Sequence, residues 1–140
     1  MPTKDECGSL HPYFAVPENN LDAFEQLCEK FVAQISAEPK CLYYGFSFNG
    51  GEVHCREGYE DADGLLANLD NVKSLLDEAL TLAKVIRLEV HGNEDELAKL
   101  REPLAAFNPA FFVLKYGIRR EWDAVGLLIL KTAGVEAGDA

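Results

Sequence analysis

Apolar and polar residues change period several times along this 140-residue chain, and each change predicts an element boundary. Leu10, Pro12, Phe14 and Val16 alternate with His11, Tyr13 and Ala15, which predicts a strand over 10–16. Pro12 lacks a ladder N–H, so this strand is expected at a sheet edge or with a bulge. After Pro17 and Asn19-Asn20 the period lengthens. Leu21, Phe24, Leu27, Cys28, Phe31 and Ile35 form one helical stripe that has to end before Pro39. Residues 41–48 and 52–59 then flank Asn49-Gly50-Gly51, a hairpin signal because Asn and Gly accept the positive φ of tight turns.

Val53, Cys55, Glu57 and Tyr59 share one side of the second hairpin strand, and Glu52, His54 and Arg56 share the other. From Leu65 the spacing is helical again through Leu66, Leu69, Val72, Leu75, Leu76, Ala79 and Leu80, predicting one long helix over 62–83 with Asp61 as its N-cap. Ile86, Leu88 and Val90 alternate with Arg87, Glu89 and His91 in a fourth strand over 85–91, ended by Gly92. Asn93 with Glu96 three positions on opens a short helix that Pro103 interrupts, and residues 111–118 read as a fifth strand. The order β-α-β-β-α-β followed by α-β is an α+β, ferredoxin-like pattern. It divides the chain into a tail over 1–8, a domain over 9–120 and a C-terminal extension over 121–140, in which Trp122 precedes an apolar run.

Composition narrows the partners. With 24 acidic against 13 basic residues and a net charge of −11, the chain has no basic stripe for a phosphate backbone and would repel anionic lipid. Neither nucleic acid nor a membrane is expected as a partner. Cys7, Cys28, Cys41 and Cys55 lack zinc-ligand spacing, and the first residues lack the apolar stretch of a secretory leader, so a reducing, cytoplasmic setting with free thiols is expected.

Phe24 in the first helix, the passage Ala37-Glu38-Pro39-Lys40-Cys41-Leu42-Tyr43-Tyr44, and Glu57-Gly58-Tyr59-Glu60-Asp61-Ala62 before a leucine-rich helix carry a family resemblance. Over residues 10–118 the chain resembles the dimeric α+β barrel superfamily, and within it the antibiotic-biosynthesis-monooxygenase-like domains. The resemblance implies a homodimer and a small-molecule site, but not one reaction. Similar domains include cofactor-free quinone-forming oxygenases, haem-degrading oxygenases, cyclases, isomerases and members with no known chemistry. Tyr59 stands where such families often have tryptophan, and Asn68 where many have histidine. Residues 62–83 contain no histidine to serve as the axial ligand of the haem-degrading relatives, so no cofactor is expected.

Two constellations follow from the alternation. A two-residue turn at Asn49-Gly50 would set Phe46 opposite Val53, Tyr44 opposite Cys55 and Leu42 opposite Glu57, and Glu57 would then point among Leu42, Tyr44, Phe48 and Cys55 toward the helices. A carboxyl desolvated in this way has a raised pKa and can exchange protons near neutrality; alternatively Glu57 simply pairs with a tyrosine hydroxyl or an arginine. The other face would collect His11, Tyr13, Tyr43, His54, Arg56, Arg87, Glu89 and His91, and with them all three histidines. These can serve in proton transfer or merely satisfy cross-strand hydrogen bonds at a dimer contact, and a metal is disfavoured by the two arginines. Cys55 reads as core, and no serine has the glycine-rich context of a nucleophile.

The leading functional expectation is a cofactor-independent monooxygenase-like enzyme for a small hydrophobic, aromatic or quinol-like molecule. Glu57 would handle the proton, Tyr59 would pack on the ring and Asn68 would orient an oxygen. His11, His54 and His91 are held as further catalytic candidates. Tyr13, Tyr43, Tyr44, Phe46, Phe48, Arg56 and Arg87 are the candidate substrate contacts. A cyclase or isomerase of the same superfamily, or a non-catalytic dimeric binding or stress-related module, are the alternatives.

Overall fold

The computed structural model describes residues 3–120 and places them in one five-stranded sheet of order β2-β3-β1-β4-β5 with the helices on one face. β1 (Gly8–Ala15) leads through a single turn at Glu18–Asn20 into α1 (Leu21–Ile35), and β2 (Cys41–Asn49) and β3 (Glu52–Tyr59) form the hairpin. α2 (Ala62–Asn71) and α3 (Lys73–Leu82) precede β4 (Lys84–Gly92), after which α4 (Glu94–Leu100) returns the chain to β5 (Ala110–Val113). β5 pairs parallel to β4, whereas β1 pairs antiparallel with β3 and β4. This is the α+β, ferredoxin-like arrangement with an added αβ that the periodicity predicts. The extension over 121–140, Trp122 included, lies outside the described residues.

Pro12 is not at an edge, since β1 is the central strand. The ladder to β3 tolerates it by omission: Leu10 pairs with Glu57 and Tyr13 with His54, and the two positions between make no pairing to β3. An absent N–H is harmless where no ladder bond is required of it.

The hairpin turns at Gly50-Gly51 rather than Asn49-Gly50, with Asn49 opposite Glu52. Phe48 therefore faces Val53, Phe46 faces Cys55 and Tyr44 faces Glu57. This is a slip of two residues from the expected register, and because side chains alternate with period two it leaves residues 43–48 on their expected faces. Gly50 has φ 57°, which a side chain would strain. A Cβ on Gly51 would lie 2.9 Å from the Val16 carbonyl oxygen, so both turn positions require glycine. Leu42 is also displaced from the pairing expected of it. The register shifts between Cys41 and Tyr43, leaving Leu42 exposed in a bulge. A similar shift in β4 leaves Ile86 exposed.

The long helix over 62–83 is two helices meeting at Val72, whose φ of −102° and ψ of 9° leave the helical region. The side-chain amide of Gln34 on α1 donates to the Asn71 carbonyl there, and a side chain inserted into the helical ladder is an established cause of a break. The fifth strand is shorter than the predicted 111–118, ending at Val113. Asp61 and Asn93 are the N-caps expected, accepting from the backbone N–H of Gly64 and Glu96.

The core is in two parts. Phe14, Val16, Phe24, Leu27, Phe31, Ile35, Val53 and Val72 pack beneath α1 and α3, while Leu10, Tyr59, Leu65, Val90, Leu97, Leu100 and Leu104 pack beneath α2 and α4. The seam between them is where the cavity lies.

Candidate functional site

Glu57 sits in β3 between Tyr44 of β2 and Leu10 of β1, and the alternation that buries Val53, Cys55 and Tyr59 turns its carboxyl inward with them. It is 4% exposed. The Tyr59 hydroxyl donates to Oε1 at 2.6 Å, and the Cys55 thiol forms a further hydrogen bond to the carboxyl. Burial raises the carboxyl from 4.5 to about 7; the Tyr59 and Cys55 hydrogen bonds oppose the rise, and the nearby Glu38 carboxylate adds to it. The Tyr59, Tyr44 and Cys55 protons are held more tightly still, chiefly by burial and then by the charge of Glu57. Near neutrality Glu57 alone of these four exchanges a proton readily.

In front of Glu57 lies a cavity of about 190 Å³. Phe14, Phe24, Phe31 and Phe46 form an aromatic wall, and Tyr44, Cys55 and Asn68 are the other polar groups that line it. The described lining is uncharged apart from Glu57. Asn68, on α2 and 1% exposed, donates to Glu38 Oε2 at 2.9 Å, and Asn71 donates to the same oxygen at 2.8 Å. The amides thus pin a second carboxylate at the end of α1, close enough to influence Glu57.

The structure brings together only part of the predicted set. Glu57, Asn68, Tyr44 and Phe46 line the cavity. Tyr59 stands behind Glu57 and does not line it, while Phe48 lies in a shallow surface groove with Cys28 and Val32. Glu38, Pro12, Leu88, Leu104 and Phe107 belong to this region and were missed by the sequence reasoning. Glu38 occupies a loop, where periodicity carries no signal. The last two follow Pro103 in irregular backbone.

All three imidazoles are on the opposite sheet face, as expected. His11 stacks on His54 at 5.7 Å between ring centroids and meets His91 edge-on at 4.7 Å, and Tyr13 lies 4.4 Å from His54. Arg56 covers the Tyr43 ring at 4.7 Å. Glu89 accepts from Arg87 and is 2.8 Å from His91 Nε2. Burial, then His91 and His54, lower the His11 pKa to about 4, so this imidazole is neutral at physiological pH. Among the described residues no group of His, Cys, Asp and Glu is arranged to hold a metal ion. The histidine face and the Glu57 cavity are separated by the sheet and do not form one site.

The sheet and its one-sided helices define an α+β domain of ferredoxin-like fold. MupZ from Pseudomonas fluorescens is 48% identical, with a TM-score of 0.82 over 86% of this chain and 94% of that one. The chain belongs to the same family as MupZ. More distant structures share the fold. An antibiotic biosynthesis monooxygenase is 16% identical (TM-score 0.52, 59% of this chain and 92% of that one). A conserved protein from Methanosarcina mazei Go1 is 15% identical (TM-score 0.56, 61% and 91%). No family model and no curated protein matches the chain. No helix among the described residues is long and apolar enough to cross a membrane.

Proposed function

We propose that this chain is a cofactor-independent acid–base enzyme that isomerises or cyclises a small, neutral, largely apolar molecule, with Glu57 carrying the proton. The observation behind this reading is a carboxyl, 4% exposed, set in the wall of an otherwise uncharged cavity and held from behind by a tyrosine hydroxyl. In an isomerisation the carboxylate takes a proton from one carbon and returns it to another. In a cyclisation it takes the proton of a hydroxyl as the oxygen adds across a polarised double bond, then delivers that proton to the carbon left electron-rich. Either sequence restores Glu57 and changes no oxidation state. Tyr44 and Asn68, which line the same cavity, would hydrogen-bond the substrate oxygen that gains electron density. No cation lines the described cavity to hold a full substrate anion, which favours reactions where removal and return of the proton are closely coupled.

A second reading is oxygenation of a quinol-type molecule, supported by the aromatic wall and by the name of one structural neighbour. Here Glu57 would deprotonate the quinol, and molecular oxygen would insert one atom into the ring and leave with the other as water. The two readings separate in an oxygen electrode. Hydroquinones and unsaturated hydroxy compounds would be supplied in D₂O, with deuterium incorporation and oxygen uptake followed together. Deuterium entering substrate or product without oxygen uptake, abolished by Glu57→Gln, supports acid–base chemistry; uptake in step with turnover supports oxygenation. Neither signal, with unchanged behaviour of Glu57→Gln, leaves a non-catalytic binding module. The same reading has the chain working as a homodimer in a reducing, cytoplasmic setting, with the histidine face covered by the second copy.

A further inference from the structure

The cavity takes only a compact group, yet its rim is apolar where it meets solvent. By proportion with a void of about 150 Å³ that holds benzene, the cavity of about 190 Å³ accommodates about eight heavy atoms. Yet three of its lining residues are large apolar side chains left open to solvent: Leu80 of α3 at 47%, Val85 of β4 at 42% and Phe107 beyond α4 at 50%. They come from three separate elements and line the same cavity, whereas its other lining residues Phe24, Cys55, Asn68 and Glu57 are almost fully buried. A continuous apolar path therefore runs from Glu57 to the surface and stays apolar where it reaches water, where polar side chains would be the ordinary choice.

We propose that the substrate is a chain-bearing molecule whose reactive, oxygen-carrying end reaches Glu57 and Asn68 while an extended apolar chain leaves the cavity across Leu80, Val85 and Phe107. This rests on the proton-transfer reading of the cavity and adds the substrate's shape. The inner volume takes the reacting segment, and the rim selects for chain length by covering further methylenes. A fully buried methylene strengthens binding about fourfold, and one half-covered by the rim about twofold.

The test uses linear alkanols from pentanol to dodecanol, displacing the neutral fluorophore N-phenyl-1-naphthylamine from the full chain. Affinity is expected to keep rising beyond octanol by about twofold per carbon. Leu80→Ser and Phe107→Ser, both at solvent-open positions, are expected to flatten that outer rise, costing dodecanol several-fold more affinity than hexanol. A plateau at octanol in the wild-type protein, or an outer rise untouched by both variants, overturns the inference. So does a self-association, seen by sedimentation, that Phe107→Ser abolishes and long alkanols do not disturb, because the rim is then covered by a second copy. If hexanol itself fails to displace the fluorophore, the cavity is no binding site and the proton-transfer reading falls too. If hexanol binds and Glu57-dependent deuterium incorporation is found while longer chains gain nothing, the chain-bearing substrate alone is lost.

Discussion

Glu57→Gln isolates the energetic consequence of burying one carboxyl, because glutamine keeps the shape and can still accept from the Tyr59 hydroxyl but cannot ionise. In the wild-type protein burial raises the group from 4.5 to about 7. The folded chain therefore holds a proton that the unfolded chain has released, and stability falls as pH climbs through that window, levelling off above it. The pKa rise is worth about 3.5 kcal/mol in full, of which about 3 kcal/mol falls between pH 4.5 and 8.5. The glutamine variant feels none of this. Urea unfolding of both proteins at pH 4.5, 6, 7 and 8.5 gives the difference directly, and the other titrating groups cancel in it. Relative to wild type, the variant is expected to gain about 3 kcal/mol between pH 4.5 and 8.5, most of it before pH 7. A difference that is flat with pH, or that favours wild type as pH rises, would refute the reasoning and with it the placement of Glu57 in a desolvated wall.

Tyr59→Phe removes the hydrogen bond that partly offsets burial, so the midpoint of that stability difference, and of any Glu57-dependent rate profile, is expected to move upward in pH; no movement would mean that Tyr59 contributes packing alone. Turnover in Glu57→Gln is expected to drop about 10²- to 10⁴-fold, the span typical of a lost acid–base group, with substrate affinity retained in equilibrium binding. Glu96→Ala should cost about 0.5–2 kcal/mol in thermal or urea unfolding, because the carboxylate accepts the Ala62 N–H at 3.0 Å and so caps α2 from a different helix. Asp61→Ala is expected to destabilise more than Lys40→Ala in the same measurement: Asp61 both caps Gly64 and pairs with Lys40, whereas the Lys40 ammonium, on a half-exposed side chain, makes only the pair.

Glu96 shows how far local patterns reach. Its spacing from Asn93 announces a helix start, and its backbone N–H does donate to the Asn93 side chain. Its carboxylate, however, serves Ala62, a partner 34 residues away. The hairpin register has the same character. Asn49-Gly50-Gly51 identifies a turn, but which two residues form it depends on β3 also pairing with β1, and on Val16 donating to the Gly51 carbonyl. Likewise nothing near Val72 in the chain predicts the helix break, since the amide beside it comes from α1.

Period alone determined the element order, the α1 stripe, the sharing of one face by three imidazoles and the inward aim of Glu57, because these depend on side-chain direction, which repeats every two or 3.6 residues whatever lies beyond. The tertiary structure decided what Glu57 meets there. Helices packing as two separate cores leave a seam, and at that seam residues distant in the chain, from Pro12 to Phe107, enclose a cavity that no local spacing encodes. Its volume, its open apolar rim and the tyrosine behind the carboxyl are consequences of how the elements dock.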